Sequence, residues 1–241
     1  MKLKFTEIKK AFSDYNIITT TDLINFYKSF EPAVKKATVN WRIYGLAQSG
    51  KLQRIGRGKY IVGKEQKYIP EISAKEIKIS RLLKKEFPFA NHCVWATSIL
   101  NEFSQHLSAF QFIVVEAEKE ALEPAYFMLK DYFKSTFKKP SREVVEELIS
   151  SQPNSIVVDS FVSEAPVQII KKIPTSSIEK LLVDIFCDKN LFYFLQGNEL
   201  VNIYKNAFDK YTVNQSKLLR YADRRRKKKL IKEFIDSIIR Q

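Results

Sequence analysis

Six glycines occur in the 241 residues, and five of them, Gly45, Gly50, Gly56, Gly58 and Gly63, fall between positions 45 and 63. Glycine turns tightly and takes positive φ without steric cost. A turn-rich element is therefore confined to one short region. The long stretch from 71 to 219, with Gly197 alone, has to be built from helices and strands joined by other means. A glycine cradle for phosphate is not expected there, and no P-loop, Rossmann glycine motif or G-x-S-x-G elbow is present.

The charge is as uneven as the glycine. The chain carries +14, yet residues 1–70 hold 14 Lys+Arg against 5 Asp+Glu, and residues 220–232 hold 8 against Asp223 alone. The body between them is close to neutral. A localised positive surplus points to a polyanionic partner, most often nucleic acid. Hydrophobic residues make up 45%, enough for a real core. No run of apolar residues is long enough for a membrane span, and the N-terminus lacks the apolar block of a signal peptide. Cys93 and Cys187 make no disulfide framework, so a cytoplasmic home is expected.

Residues 1–70 predict three helices and a hairpin. Phe5, Ile8 and Phe12 share one helical face. Thr21-Asp22 offers an N-cap for a second helix through Phe30. Val39, Ile43 and Leu46 form the apolar face of a third, from Ala37 to Gln48, with Gly50 just past its end. Lys51–Ile55, Gly56-Arg57-Gly58 and Lys59–Gly63 then read as a basic β-hairpin. That order is the winged helix-turn-helix order. A helix in the major groove reads base edges, with cations on the phosphates around it. The candidate DNA-binding residues are Lys35, Lys36, Thr38, Asn40 and Arg42 on the helix and Arg54, Arg57 and Lys59 on the wing. Trp41 and Tyr44 are further candidates on the exposed side of that helix, although a tryptophan is more often a core or inter-domain packing residue than a base contact.

Residues 71–241 predict a mixed α/β domain, after a boundary near Pro70. Ile77, Leu82, Leu83 and Phe87 mark a helix, Phe110–Val115 and Asn154–Phe161 mark strands, and Ala165–Ile170 a further short strand. Ser176 and Glu179 form a capping box before Ile178, Leu181, Leu182 and Ile185. Thr212 and Gln215 offer another. A long amphipathic helix closes the chain through Ile239. The overall class is α+β. Before the last helix stand Arg224, Arg225, Arg226, Lys227, Lys228 and Lys229. Six like charges repel, so a break or exposed turn is expected, serving as a solvated loop or a second anion-binding patch.

Little enzyme chemistry is visible. His92 and His106 are the only histidines, with no second ligand at zinc spacing. Neither a metal nor another cofactor is expected. The nearest enzyme-like pattern is Glu116, Glu118 and Lys119 after a strand, with Asp131 or Asp159 as a third acid. That is the alternative reading of a metal-dependent nuclease. A protein-interaction module with an incidental basic surface is another.

Three motifs in order resemble the AbiE-type antitoxin family (AbiEi), the antitoxin half of type IV toxin–antitoxin systems. Gly50-Lys51-Leu52-Gln53-Arg54-Ile55-Gly56-Arg57-Gly58-Lys59-Tyr60 is similar to the family's G-x-L-x-R-x-x-R-G-x-Y wing. Pro174 to Asp184 is similar to P-E-K-x-L-x-D, with Glu179, Lys180, Leu182 and Asp184 matching after an insertion behind the proline. Leu218-Leu219-Arg220-Tyr221-Ala222 is similar to L-x-x-Y-A. The resemblance implies a repressor that binds inverted repeats in its own promoter. It also implies an antitoxin, not an enzyme, that counteracts a nucleotidyltransferase-like toxin.

Overall fold

A computed structural model describes residues 3–15, 17–63, 66–105 and 110–239. His106 lies outside them. The architecture is mixed α and β with a long helical C-terminal region. Contacts divide the chain into two compact units, Met1–Tyr68 with Ala207–Leu218, and Ile69–Asn206 with Leu219–Gln241.

In the first unit, α1 (Phe5–Ala11), α2 (Thr20–Phe30) and α3 (Lys36–Gln48) bury Ile8, Leu23, Tyr27, Val39, Ile43 and Leu46 in one core. The cap of α2 is Thr19 and not Thr21. Its hydroxyl accepts from the Asp22 N–H at 3.2 Å, while Asp22 accepts from the Thr19 N–H at 2.8 Å. Thr19 is extended because Ile18–Thr19 forms a short strand, β1. It pairs antiparallel with β3 (Lys59–Val62), which pairs antiparallel with β2 (Leu52–Gly56).

The glycines are where this hairpin needs them. Gly58 takes φ +67°, and a Cβ there would stand 3.2 Å from Thr20 Oγ1. At Gly63 a Cβ would meet the Gly50 carbonyl oxygen at 2.0 Å, which no side chain tolerates. The segment 207–218 belongs to this unit through Thr212. Its N–H donates to the Gln66 carbonyl at 3.1 Å and its hydroxyl to the Gly50 carbonyl at 2.9 Å. Thr212 is thus not a helix cap. Asn214 caps instead, accepting from the Lys217 N–H at 3.0 Å.

The second unit opens with α4 (Ala74–Glu86). A four-stranded sheet follows, made of β4 (His92–Ala96), β5 (Phe112–Ala117), β6 (Thr136–Lys138) and β7 (Ser155–Ser160) in the order β4-β5-β7-β6. The β4–β5 pair is antiparallel, and β5–β7 and β6–β7 are parallel. One face packs on α4 and α5 (Lys119–Tyr132) through Ile79, Leu83, Val115, Ala125 and Leu129. The buried stripe of α4 is Glu76, Ile79, Ser80 and Leu83, so Ile77 and Leu82 do not form its core face. A turn of helix, α6 (Arg142–Val144), precedes β7, and β8 (Val167–Ile170) pairs with β9 (Ile173–Ser176). Because β9 takes Ser176, the cap of α7 (Ile178–Cys187) moves to Ser177. Then follow α8 (Asn198–Lys210), α9 (Gln215–Arg224) and α10 (Lys228–Ile239). Among the described residues no helix is long and apolar enough to cross a membrane.

Candidate nucleic-acid interface and a buried ionic network

The inward face of α3 is Val39, Ile43 and Leu46; the outward face carries Asn40, Trp41, Tyr44 and Gln48, all exposed. Trp41 and Tyr44 are each 62% exposed, so Trp41 does not pack in a core. Lys35 is the N-cap residue and makes no side-chain cap hydrogen bond, and the first turn has no acidic residue. Cations there oppose the helix dipole, and an anion is what such an end favours. Thr38 is exposed beside them.

Arg54, Arg57 and Lys59 project from the hairpin and are exposed. Arg54 donates through Nε to the Gly56 carbonyl at 3.2 Å, across a register shift between Arg54 and Gly56. Among the described residues no acidic partner lies against Lys35, Lys36, Arg57 or Lys59.

Arg42 stands apart from this set. Its Nη1 and Nη2 donate to the two carboxylate oxygens of Glu31 at 3.1 and 2.9 Å, and the guanidinium lies 5.0 Å from the Tyr27 ring centre. Glu31 holds it on the flank of the helix, where sequence spacing alone counts it as exposed. Arg42→Ala is therefore expected to lower the thermal midpoint and leave the salt dependence of nucleic-acid binding unchanged. A reduced salt slope for this variant would return Arg42 to the contact set.

In the second unit, β5 sends Phe112, Val114 and Glu116 to the face opposite α4 and α5. Here α7 is buried from Ile178 to Ile185, charged residues included. Lys180, 0% exposed, donates to Glu116 Oε2 and to Asp184 Oδ2, both at 2.5 Å. Asp184 Oδ1 accepts from the Tyr221 hydroxyl at 2.8 Å and from Arg225 Nη1 at 3.0 Å, and Arg225 Nη2 reaches Asp188 at 2.6 Å. Lys180 and Asp184, like Tyr221 and Arg225, are four apart and so share a helical face.

Burial opposes the charge on Lys180, but Asp184 and Glu116 outweigh it and hold the ammonium protonated. Glu116 has one charged donor where Asp184 has two, and burial pushes its carboxyl up to about 7. Burial likewise raises Asp188 to about 6, against the pull of Arg225.

The run 224–229 does not form a uniform patch. It contains the end of α9, a turn with Arg226 at φ +56°, and the start of α10. Arg225 faces inward, Arg224 meets Ser163, and Lys228 lies 3.4 Å from Asp223. Arg226 and Lys229 are exposed. Lys227 joins Lys139 and Lys189 around a cleft of about 560 Å³ whose lining also includes Asp159 and Asp188.

The nuclease triad is not brought together. Glu116 is committed to Lys180, Glu118 accepts from Asn91 Nδ2 at 2.6 Å, and Lys119 is exposed at the start of α5. Among the described residues no three His, Cys, Asp or Glu side chains are grouped to hold a metal. His92 meets the Ser80 hydroxyl at 2.9 Å.

A family model described as a family of unknown function (DUF6577) matches residues 38–241. The chain belongs to that family. The DUF6577 match begins at the outward residue Thr38 and takes in the hairpin and every member of the buried network. No curated protein matches the chain.

A carboxyl whose value rises on folding stabilises the fold while protonated, and that contribution is lost as pH climbs through its folded value. For Glu116 the loss falls between the unfolded value of 4.5 and about 7. Glu116→Gln is expected to remove it. From about pH 5 to about pH 8 the variant should lose ~1–3 kcal/mol less stability than the wild type. Urea midpoints at the two pH values measure this, and parallel pH profiles would contradict it.

Proposed function

We propose that the chain is a DNA-binding transcriptional repressor and the antitoxin of a type IV toxin–antitoxin system, acting in the cytoplasm. In this reading the N-terminal unit is a winged helix-turn-helix, α3 is its recognition helix and the β2–β3 hairpin its wing. The order helix, strand, helix, helix, strand, strand, with β1 closing a three-stranded sheet, supports it. The observation that carries it is the pairing of two surfaces in one unit. An outward helix face lies open behind Lys35 and Lys36, and a glycine-turned hairpin tip carries Arg57 and Lys59 without acidic partners among the described residues. Such an arrangement suits a helix in the major groove with cations on phosphates.

The antitoxin half rests on the AbiEi resemblance. Lys180 and Asp184 of its second motif and Tyr221 of its third meet in the buried network, which supports reading the two motifs as one assembly. The counterpart is a nucleotidyltransferase-like toxin. Co-expression with the product of a neighbouring reading frame of that class tests this half. Growth should be restored by the full chain, and continued arrest at matched expression would remove the antitoxin role.

A further inference from the structure

We infer that the α3 face selects A·T base pairs in the major groove, with Trp41 and Tyr44 seated on thymine methyl groups and Asn40 on adenine. The inference rests on the DNA-binding reading above and names the base class that reading leaves open.

Base pairs differ in what their major-groove edges offer. Guanine presents two acceptors that a long cationic side chain grips. Adenine presents a donor and an acceptor that match an amide, and thymine presents an apolar methyl. The outward face of α3 carries an amide and two aromatic rings: Asn40, then Trp41 and Tyr44, three positions apart and so on one side of the helix. The rings are each 62% exposed. The one arginine of the helix is unavailable for guanine, because Glu31 holds both of its terminal nitrogens. Lys35 and Lys36 stand at the N-terminal entrance, over the phosphates in this orientation. The cations therefore surround the face while its centre is apolar and amide-bearing. That division fits a polyanion whose inner edge shows methyl groups. Burying even two methyls against the rings is worth about tenfold in affinity.

The test uses the full chain, with fluorescence anisotropy on three short duplexes: alternating dA/dT, alternating dG/dC, and dA/dU, in which each thymine methyl is replaced by hydrogen. The wild type is expected to prefer dA/dT over dG/dC and to bind dA/dU about tenfold more weakly than dA/dT. In Trp41→Ala the dA/dT advantage over dA/dU should shrink, because the methyl has lost its seat. Tyr44→Ala should shrink it separately, and circular dichroism of both variants checks the fold. Since both rings are exposed, neither change removes a core contact. Equal wild-type affinity for dA/dT and dA/dU, a preference for dG/dC, or a thymine advantage that survives in both variants would overturn the inference. In those cases salt-dependent binding to all three duplexes would leave the DNA-binding reading standing. No binding to any duplex would overturn both.

Discussion

Replacing Lys35, Lys36 and Arg57 together with alanine is expected to flatten the salt dependence of DNA binding. Each phosphate contact releases a counterion, so the slope of log affinity against log salt should fall by ~0.9 per cation, or about 3 for the triple variant. The loss should be similar on every duplex, because these side chains position the protein and do not read bases. The three are exposed and have no acidic partner among the described residues. Their removal therefore leaves the fold intact, and a thermal midpoint close to wild type is part of the expected result. Arg42→Ala is the single-charge control: it removes one cation, at a guanidinium already held by Glu31. An unchanged slope in the triple variant would take α3 and the hairpin out of contact with nucleic acid.

Lys180→Met should be the most damaging single change to the second unit. It leaves Glu116 and Asp184 buried beside one another without the ammonium that both accept from. Stranding a buried charge costs about 3–5 kcal/mol, whereas removing a whole buried ionic set is often neutral. The asymmetry supplies the check. Lys180→Met combined with Glu116→Gln should recover part of the loss, because Asp184 keeps Tyr221 and Arg225 as donors. Urea unfolding at neutral pH measures both variants. A cost under about 1 kcal/mol for Lys180→Met, or a double variant worse than the single, would contradict the buried geometry.

What was legible in the sequence was local. Val39, Ile43 and Leu46 announce α3 by their spacing, and the glycines announce the hairpin because Gly58 takes a positive φ and Gly63 sits where no side chain fits. The clustering of charge in the first 70 residues likewise survives as exposed cations on α3 and the hairpin.

What was hidden depended on partners distant in sequence. Arg42 is counted as an outward residue until Glu31, eleven positions earlier, claims it. Arg225 looks like one more charge in a repelling run, yet it turns inward to Asp184, 41 positions before it. The serine that caps α7 is shifted by one because β9 takes Ser176 into a ladder with Val167. Trp41 is exposed although tryptophan is ordinarily well buried. Its position does signal that: two residues from both Val39 and Ile43, it falls on the face opposite the one they bury.

The central claim is that the N-terminal unit binds DNA through α3 and the hairpin. The most direct measurement is anisotropy of a labelled duplex spanning the promoter upstream of the chain's own reading frame, titrated with wild type and with Arg57→Ala at several salt concentrations. Tight, salt-dependent binding is predicted, with the slope reduced by about 1 in the variant. Absence of binding at low salt, or identical salt slopes for the two proteins, would contradict the claim.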